Sequence, residues 1–477
     1  MAINPNRWAN LADDAQMIQA AVDEAAKTGQ TVVIPARNER TGEKMWVLER
    51  AVKLHSGSAV CLENAHLRLA DGAVDSLFKN DTARTGQAAR PENRQHDIYL
   101  FGVGNAVLDG GRHNGVIERN EAQTGRRALE NTLVHFQNVE RVRVENLRLV
   151  NARYWGMTFH FCSNGRVSGI NFMSSGNCPN CDGIDLREGC FDFLVEHITG
   201  YTQDDTIALT ALADRSILPV EGMDPSIHNV VIRDVSACSL CAVVRLLNQD
   251  GRKLYNVVIE NVQTSVEIDP AAPGAETYPL RLPDAERGPW AVEPVYWRTF
   301  ENRSRRPEVC VRIGENGYYN PDMPDARSRL GDTFNITVRN VQACAQFGVT
   351  LSCTLCDSLI DGVQMFGDSA AAVYVGKGEF EDVRFRNLGF ARNAVRRAED
   401  WTARGGDYGY ETPCAAIFGG ARARGLDFDG LSVHPSGQDA FGGYGDVELS
   451  ARNVRLRGEG SQLLRGEGIR LSGTGER

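Results

Sequence analysis

One carboxylate stands at Asp182 and a pair at Asp204 and Asp205, inside the stretch Gly176 to Leu212, "GNCPNCDGIDLREGCFDFLVEHITGYTQDDTIALTAL". From 182 to 205 is 23 positions, and the apolar neighbours return at the same interval, Ile184 with Ile207 and Leu186 with Leu209. A chain that passes the same place every 23 residues would bring the three acids into one small patch. Carboxylates held that close repel, so at least one should keep its proton near neutrality. One acid to protonate a leaving sugar oxygen and one or two bases to activate water are the groups that glycoside cleavage needs. Asp residues that only shape turns, and a calcium site built from the same oxygens, fit these residues as well.

The elements that would position the acids follow from an internal repeat. A phrase of β-branched residues and then a polar, often Asn, step to Val, Leu or Ile returns as "VRVENLRL", "VSGINFM", "FLVEHITG", "VVIRDVSA", "VVIENVQT", "ITVRNVQA", "SLIDGVQM", "VRFRNLGF", "LDFDGLSV" and "LSARNVRL". Its closing residues are Leu147, Ile170, Ile198, Val235, Val262, Val341, Val363, Leu388, Leu431 and Val454, and the shorter steps between them run from 22 to 28 residues. A strand-rich unit this short cannot bury its own apolar face, but stacked units can. The regular leucine signature of a leucine-rich repeat is absent. The expected fold is therefore all-β, a single-stranded right-handed parallel β-helix. "ADDAQMIQAAVDEAAKTGQTVVIPA" reads as an amphipathic helix with acids at its start and Gly29 just past its end, followed by a strand. Such a helix would cap the first coil, giving residues 1–40 as cap and first strand and 41–477 as β-helix. The longer steps place insertions at about 263–333 and 390–424.

Successive parallel strands lie ~4.8 Å apart, so Asp182 and Asp205 should sit at equivalent points of neighbouring coils. Strict alternation from Ile184 and Leu186 would aim Asp182 into the core, which is too costly. A turn or bulge is expected at 180–183 and at 203–205 to swing the acids outward, and a splay between coils could open the ~6.5–9.5 Å of an inverting mechanism.

The rest of the composition narrows the class. With 42% apolar residues, 24% charged residues and a net charge of −10, the chain reads as globular, and a general nucleic-acid surface is not expected. No run approaches the ~18 apolar residues of a membrane span, and the start, "MAINPNRWANLADDAQ", lacks the features of a signal peptide, so a cytoplasmic location is expected. Twelve cysteines include three CxxC spacings, at Cys178/Cys181, Cys238/Cys241 and Cys353/Cys356. Strand-like surroundings and wide gaps between pairs favour buried thiols over zinc. No metal or other cofactor is expected.

"NCDG" at 180–183 followed by "TQDDTIAL" at 202–209 resembles the two acidic motifs of the polygalacturonase family of glycoside hydrolases. "ARYWGMTFHFCSNGRVSGINF" at 152–172 and "VGNAVLDGGRHNG" at 103–115 resemble its preceding coil and its earlier glycine-rich turn. The resemblance implies Asp204 as general acid, Asp182 with Asp205 as the pair that positions and deprotonates water with inversion, and Asn180 and Gln203 as groups orienting them. Two of the family's motifs are altered. Where a Gly-His-Gly should fall there is "ACSLCAVVRLL", with Arg245 its only charge; where Arg-Ile-Lys should fall there is "VRIGEN", which keeps Arg312 and puts Gly314 in place of the lysine. The implied substrate is a short, uronate-containing oligosaccharide other than plain polygalacturonan. The aromatic residues of the long insertion, Tyr318 among them, and Trp155 in "RYWGM" are candidate sugar platforms. An insertion that walls off one end of a groove would make the enzyme exo-acting. Apart from the oligosaccharide no nucleic-acid or membrane partner is expected, and homo-oligomerisation stays open. A cation-using lyase or epimerase, and a binding protein with a dead site, are the rival readings.

Overall fold

A computed structural model describes residues 2–111, 121–174, 180–213, 217–249, 251–264, 308–314, 328–366, 369–391, 414–433 and 439–474. Tyr318 and most of the long insertion lie outside these residues. The described chain forms two compact units. The first runs to Ile207 and includes Ala213–Pro225, and the second takes Ala208–Leu212, Ser226–Ile268 and Arg303–Arg477. The fold is a right-handed parallel β-helix, mostly β, as the repeat predicts.

In the first unit three columns of parallel strands rise together. One stacks Val32–Pro35, Ala59–Glu63, Gln95–Val103, Val139–Glu145, Ser163–Ser168 and Phe191–Thr202. A second stacks Trp46–Leu48, His66–Leu69, Val107–Asp109, Arg148–Val150 and Asn171–Met173. The third, which carries the site, stacks Val52–Leu54, Phe78–Asn80, Val134–Gln137, Met157–His160 and Ile184–Arg187. Inward residues of neighbouring coils meet in the core, as with Phe136 and Phe159, both fully buried.

The second unit repeats the same logic. Val235, Val262, Val341 and Val363 follow one another in register, so the long step from 262 to 341 is one coil plus inserted chain. Leu388, Leu431 and Val454 do the same. The Asn of the repeated phrase turns a corner in the left-handed region, with φ of 57° at Asn261 and 53° at Asn340, where Asn is tolerated because its short side chain bonds locally. Here it bonds to the next coil: Asn340 Nδ2 donates to Asn261 Oδ1 and Asn261 Nδ2 to Asp234 Oδ1.

The expected cap is present. Helix Asp14–Thr28 starts at Asp13, whose carboxylate accepts the Gln16 amide, and ends at Gly29 with φ 67°. It buries Met17, Ile18, Ala21 and Val22. Among the described residues no helix is long and apolar enough to cross a membrane.

Two insertion boundaries differ from the sequence reading. Strand Val309–Ile313 lies inside the stretch read as insertion, pairing with Ala242–Asn248 and Phe347–Met365. Its alternating apolar residues Val309, Val311 and Ile313 are buried, which a solvated excursion would not need. Strand Cys414–Val433 likewise starts ten residues before the second insertion was expected to end.

Candidate active site

In the column that carries strand Ile184–Arg187 each strand is preceded by a turn, and the turns are stacked by their backbones. Gly156 N donates to Asp182 O at 2.8 Å, Gly183 N to Asp205 O at 2.9 Å and Ile184 N to Thr206 O at 2.9 Å. Asp182 and Asp205 thus hold equivalent places one coil apart. The stack is tight: a Cβ on Gly183 would meet Thr206 O at 2.4 Å and the Phe172 ring at 2.9 Å, so only glycine fits there.

Both expected departures from the strand are seen. Asn180 takes φ 49°, and residues 180–183 and 203–206 are irregular, with strands resuming at Ile184 and Ile207. Thr202 Oγ1 donates to Asp204 O at 2.6 Å and meets Thr206 Oγ1 at 3.0 Å, closing the second turn over itself. Asp205 N donates to Asp204 Oδ1 at 3.0 Å, which fixes the Asp204 carboxyl.

One oxygen from each of Asp182, Asp204 and Asp205 lies within 4.8 Å of the others, and among the described residues this is the group close enough to hold a metal ion. The acids do not reach open solvent: Asp182 is 2% exposed and Asp205 1%, while Asp204 is half-buried. These 4.8 Å are between the nearest oxygens, a tighter measure than the ~6.5–9.5 Å between the carboxyl groups of inverting pairs. Backbone bonds between the two turns hold the coils at normal spacing.

The other nominated residues are scattered. Gln203 is fully buried directly before Asp204, and Asn180 is half-buried two residues before Asp182. Arg245 and Arg312 belong to the second unit, where they are register partners on adjacent strands, and Arg312 pairs with Glu308 at 3.3 Å. Trp155 offers no open sugar platform. It is 6% exposed, packs with Leu129, Ile217 and Tyr154, and carries the Arg187 guanidinium 4.7 Å from its ring centre.

Charges that sequence reasoning passed over surround the trio's coil. Asp185 and Arg187 alternate with the core residues Ile184 and Leu186, yet are 0% and 4% exposed, and Arg153 and Glu188 are buried too. The alternation itself was the signal, since it sets these charges opposite the core residues of the strand that follows the acidic turn. The described cysteines are free thiols, buried except for Cys353, and burial pushes the Cys162 thiol up to about 12.

The family model described as Glycosyl hydrolases family 28 matches residues 83–223, which contain all three acids. Polygalacturonase QRT2 of Arabidopsis thaliana is 32% identical over 80 residues, 17% of this chain and 18% of that protein, so the chain spans about a fifth of that relative's length. The family 28 exopolygalacturonase of Yersinia enterocolitica shares the fold with TM-score 0.53 at 12% identity, over 100% of this chain and 79% of that one. The endo-xylogalacturonan hydrolase of Aspergillus tubingensis gives 0.50 at 13%, over 97% and 98%. The tailspike of E. coli bacteriophage HK620, solved with a hexasaccharide, gives 0.54 at 12%, over 99% and 77%.

Proposed function

We propose that the chain is a divergent member of the glycosyl hydrolases family 28, whose model matches residues 83–223, and that it hydrolyses a glycosidic bond with the three clustered acids. The observation that carries this is the convergence of Asp182, Asp204 and Asp205 to within 4.8 Å from two stacked turns. Asp204 is the one partly open to solvent, and it serves as general acid. Its Oδ1 accepts the Asp205 amide, so the transferable proton belongs on Oδ2. Asp182 and Asp205, deeper, hold the water between them. Water attacks the anomeric carbon, the glycosidic C–O bond breaks, the Asp204 proton goes to the leaving oxygen and the water proton to the Asp182/Asp205 pair. Asn180 and Gln203 flank the acids and orient them. The substrate is a short, uronate-containing oligosaccharide, trimmed from its end.

Direct displacement inverts the anomeric centre. Retention would instead require one of the acids to attack the sugar itself. A panel of aryl glycosides and oligosaccharides, offered to the parent and to Asp204→Asn with chelator present, tests the reading. Turnover that survives chelation and is lost in the variant supports it, and the first-formed anomer by NMR separates inversion from retention. Release of monomers alone from long chains supports exo action. A product absorbing in the ultraviolet, or activity abolished by chelation, would replace hydrolysis with cation-assisted elimination or epimerisation.

A further inference from the structure

In the first unit the third strand column can be followed away from the acids, from Asp185 to Thr158, His135 and Lys79 in successive register. Three strand spacings, about 14 Å, separate Asp185 from Lys79. At the Lys79 end lies a cavity of about 480 Å³ lined by Val74, Asp75, Lys79, Arg84, Arg126, Arg127, Leu129 and Glu130. That volume suits a sugar-sized ligand.

Four cations line it against two carboxylates. Asp75 is committed to Lys79 at 2.7 Å and to the Ala51 and Ser76 amides, and these contacts hold its carboxyl below the usual range in spite of burial. Arg84 is fixed in the wall, donating to the Leu129 and Glu130 carbonyls and to His135 Nδ1 at 3.3 Å. Arg126 donates to Val74 O and pairs with Glu130 at 3.5 Å. The exposed Arg127 guanidinium has no partner among the described residues.

Behind Arg84 the polarity is the same. His135 is fully buried, and because Arg84 can only donate, Nδ1 must accept, which leaves Nε2 as an N–H with no acceptor among the described residues. The cavity is thus walled by donors and carries an excess of positive charge. Leu129 belongs both to its lining and to the buried cluster with Trp155 and Ile217, so a wall of packed side chains stands on its side towards the Trp155–Arg187 pair.

We propose that this cavity is an accessory site for the carboxylate of an acidic sugar, held by Arg127 and Arg126 with Lys79 behind them. The identification of the anion as a sugar acid rests on the hydrolase reading above. Two exposed guanidiniums lining one cavity suit a carboxylate, which can accept from both, and a cavity roomier than a bare ion leaves space for the ring.

Saturation-transfer NMR and titration with galacturonate, galactose and inorganic sulfate, on the parent and on Arg126→Ala/Arg127→Ala, test the site. Galacturonate should bind the parent, galactose should not, and the double variant should lose affinity by about tenfold or more. Added salt should weaken the parent's binding in the same direction. Arg127→Ala alone, an exposed change that leaves the Arg126 contacts intact, should lose part of it. Turnover of the best panel glycoside should not change in these variants. Equal binding of galacturonate by parent and double variant overturns the proposal, as does galactose binding as tightly as galacturonate. Sulfate displacing galacturonate at matched concentration overturns the sugar assignment. Anion binding at Arg127 without any turnover would sink the hydrolase reading and leave the site standing; turnover without it would do the reverse.

Discussion

The acids of the first unit and those of the last coils use the same repeat to opposite ends. Around Asp182, a step of one coil brings another aspartate to the equivalent place, and three carboxylates crowd a turn that solvent barely reaches. On the outer coils of the second unit, a step of about one coil brings arginine instead. Asp429 meets Arg452 at 3.0 Å and Asn453 at 2.7 Å, and Asp446 is held between Arg424 and Arg470 at 2.7 and 2.8 Å. These two acids are held below the usual carboxylate range, Asp429 by the Asn453 and Arg452 hydrogen bonds and Asp446 by those of Arg424 and Arg470. A stacked coil therefore makes a carboxylate cluster or an ionic ladder according to the residue that the next coil supplies at that register.

If that contrast holds, the largest effect belongs to the crowded acids. Asp204→Asn should lower kcat by about 10²–10⁴-fold, the usual contribution of a general acid. Its melting temperature should stay level or rise, because a repelling charge has been removed from the cluster. A melt that falls sharply instead would mean that the trio holds the turn together, and the contrast with the outer ladder would fail. Next in size is Gly183→Ala. Its Cβ has no room against Thr206 O, so the turns must part, at a cost of about 1–3 kcal/mol seen by denaturant titration, with activity falling as Asp182 and Asp205 separate.

A smaller effect tests charges that are paired rather than crowded. His55 bridges the capping helix to the first coils, its Nε2 at 2.9 Å from Asp23 and its Nδ1 at 2.9 Å from Asp81. Burial lowers its pKa, but the hydrogen bonds to the two aspartates outweigh burial and raise it above 6.5. The charged form is thus favoured by folding, so this contribution is complete below the unfolded value and is lost as pH rises through the higher folded one. The melting difference between the parent and His55→Gln should be larger at about pH 5.5 than at about pH 8.5. An equal difference at both would remove the charge from the account.

Much of this architecture can be read in the sequence because a β-helix is written locally. The Asn of each phrase marks a left-handed corner, the closing Val or Leu marks a core layer, and the 23-residue return of Asp182 at Asp205 marks one coil. What escapes is whatever distant segments decide. Trp155 looks like an open platform in "RYWGM", yet Arg187 covers it from 32 positions away. Val309–Ile313 is a coil strand only because Ala242–Asn248 and Phe347–Met365 stand on either side of it. The basic cavity joins 74–84 to 126–130, and no short motif spans that gap. The acids are legible as a cluster, but their depth is not, since burial depends on every segment packed over the turn.

The smallest effect should come from the ladder itself. Arg452 bonds Asp427 at 3.1 Å and Asp429 at 3.0 Å, but its side chain is half exposed and the pairs face high-dielectric solvent. Arg452→Ala should shift the melt less than Gly183→Ala, and the remaining shift should shrink in high salt, where surface pairs are screened. Asp429 gives the sign with pH: its carboxyl is held low by folding, so its share of stability is present above the unfolded carboxylate range and fades as pH falls through the lower folded value. The difference between parent and Arg452→Ala should therefore narrow towards acid pH. A shift as large as that of Gly183→Ala, unmoved by salt and by acid, would show that the outer ladder carries the coils as tightly as the packed turn does, and the distinction between crowded and paired acids would lose its energetic meaning.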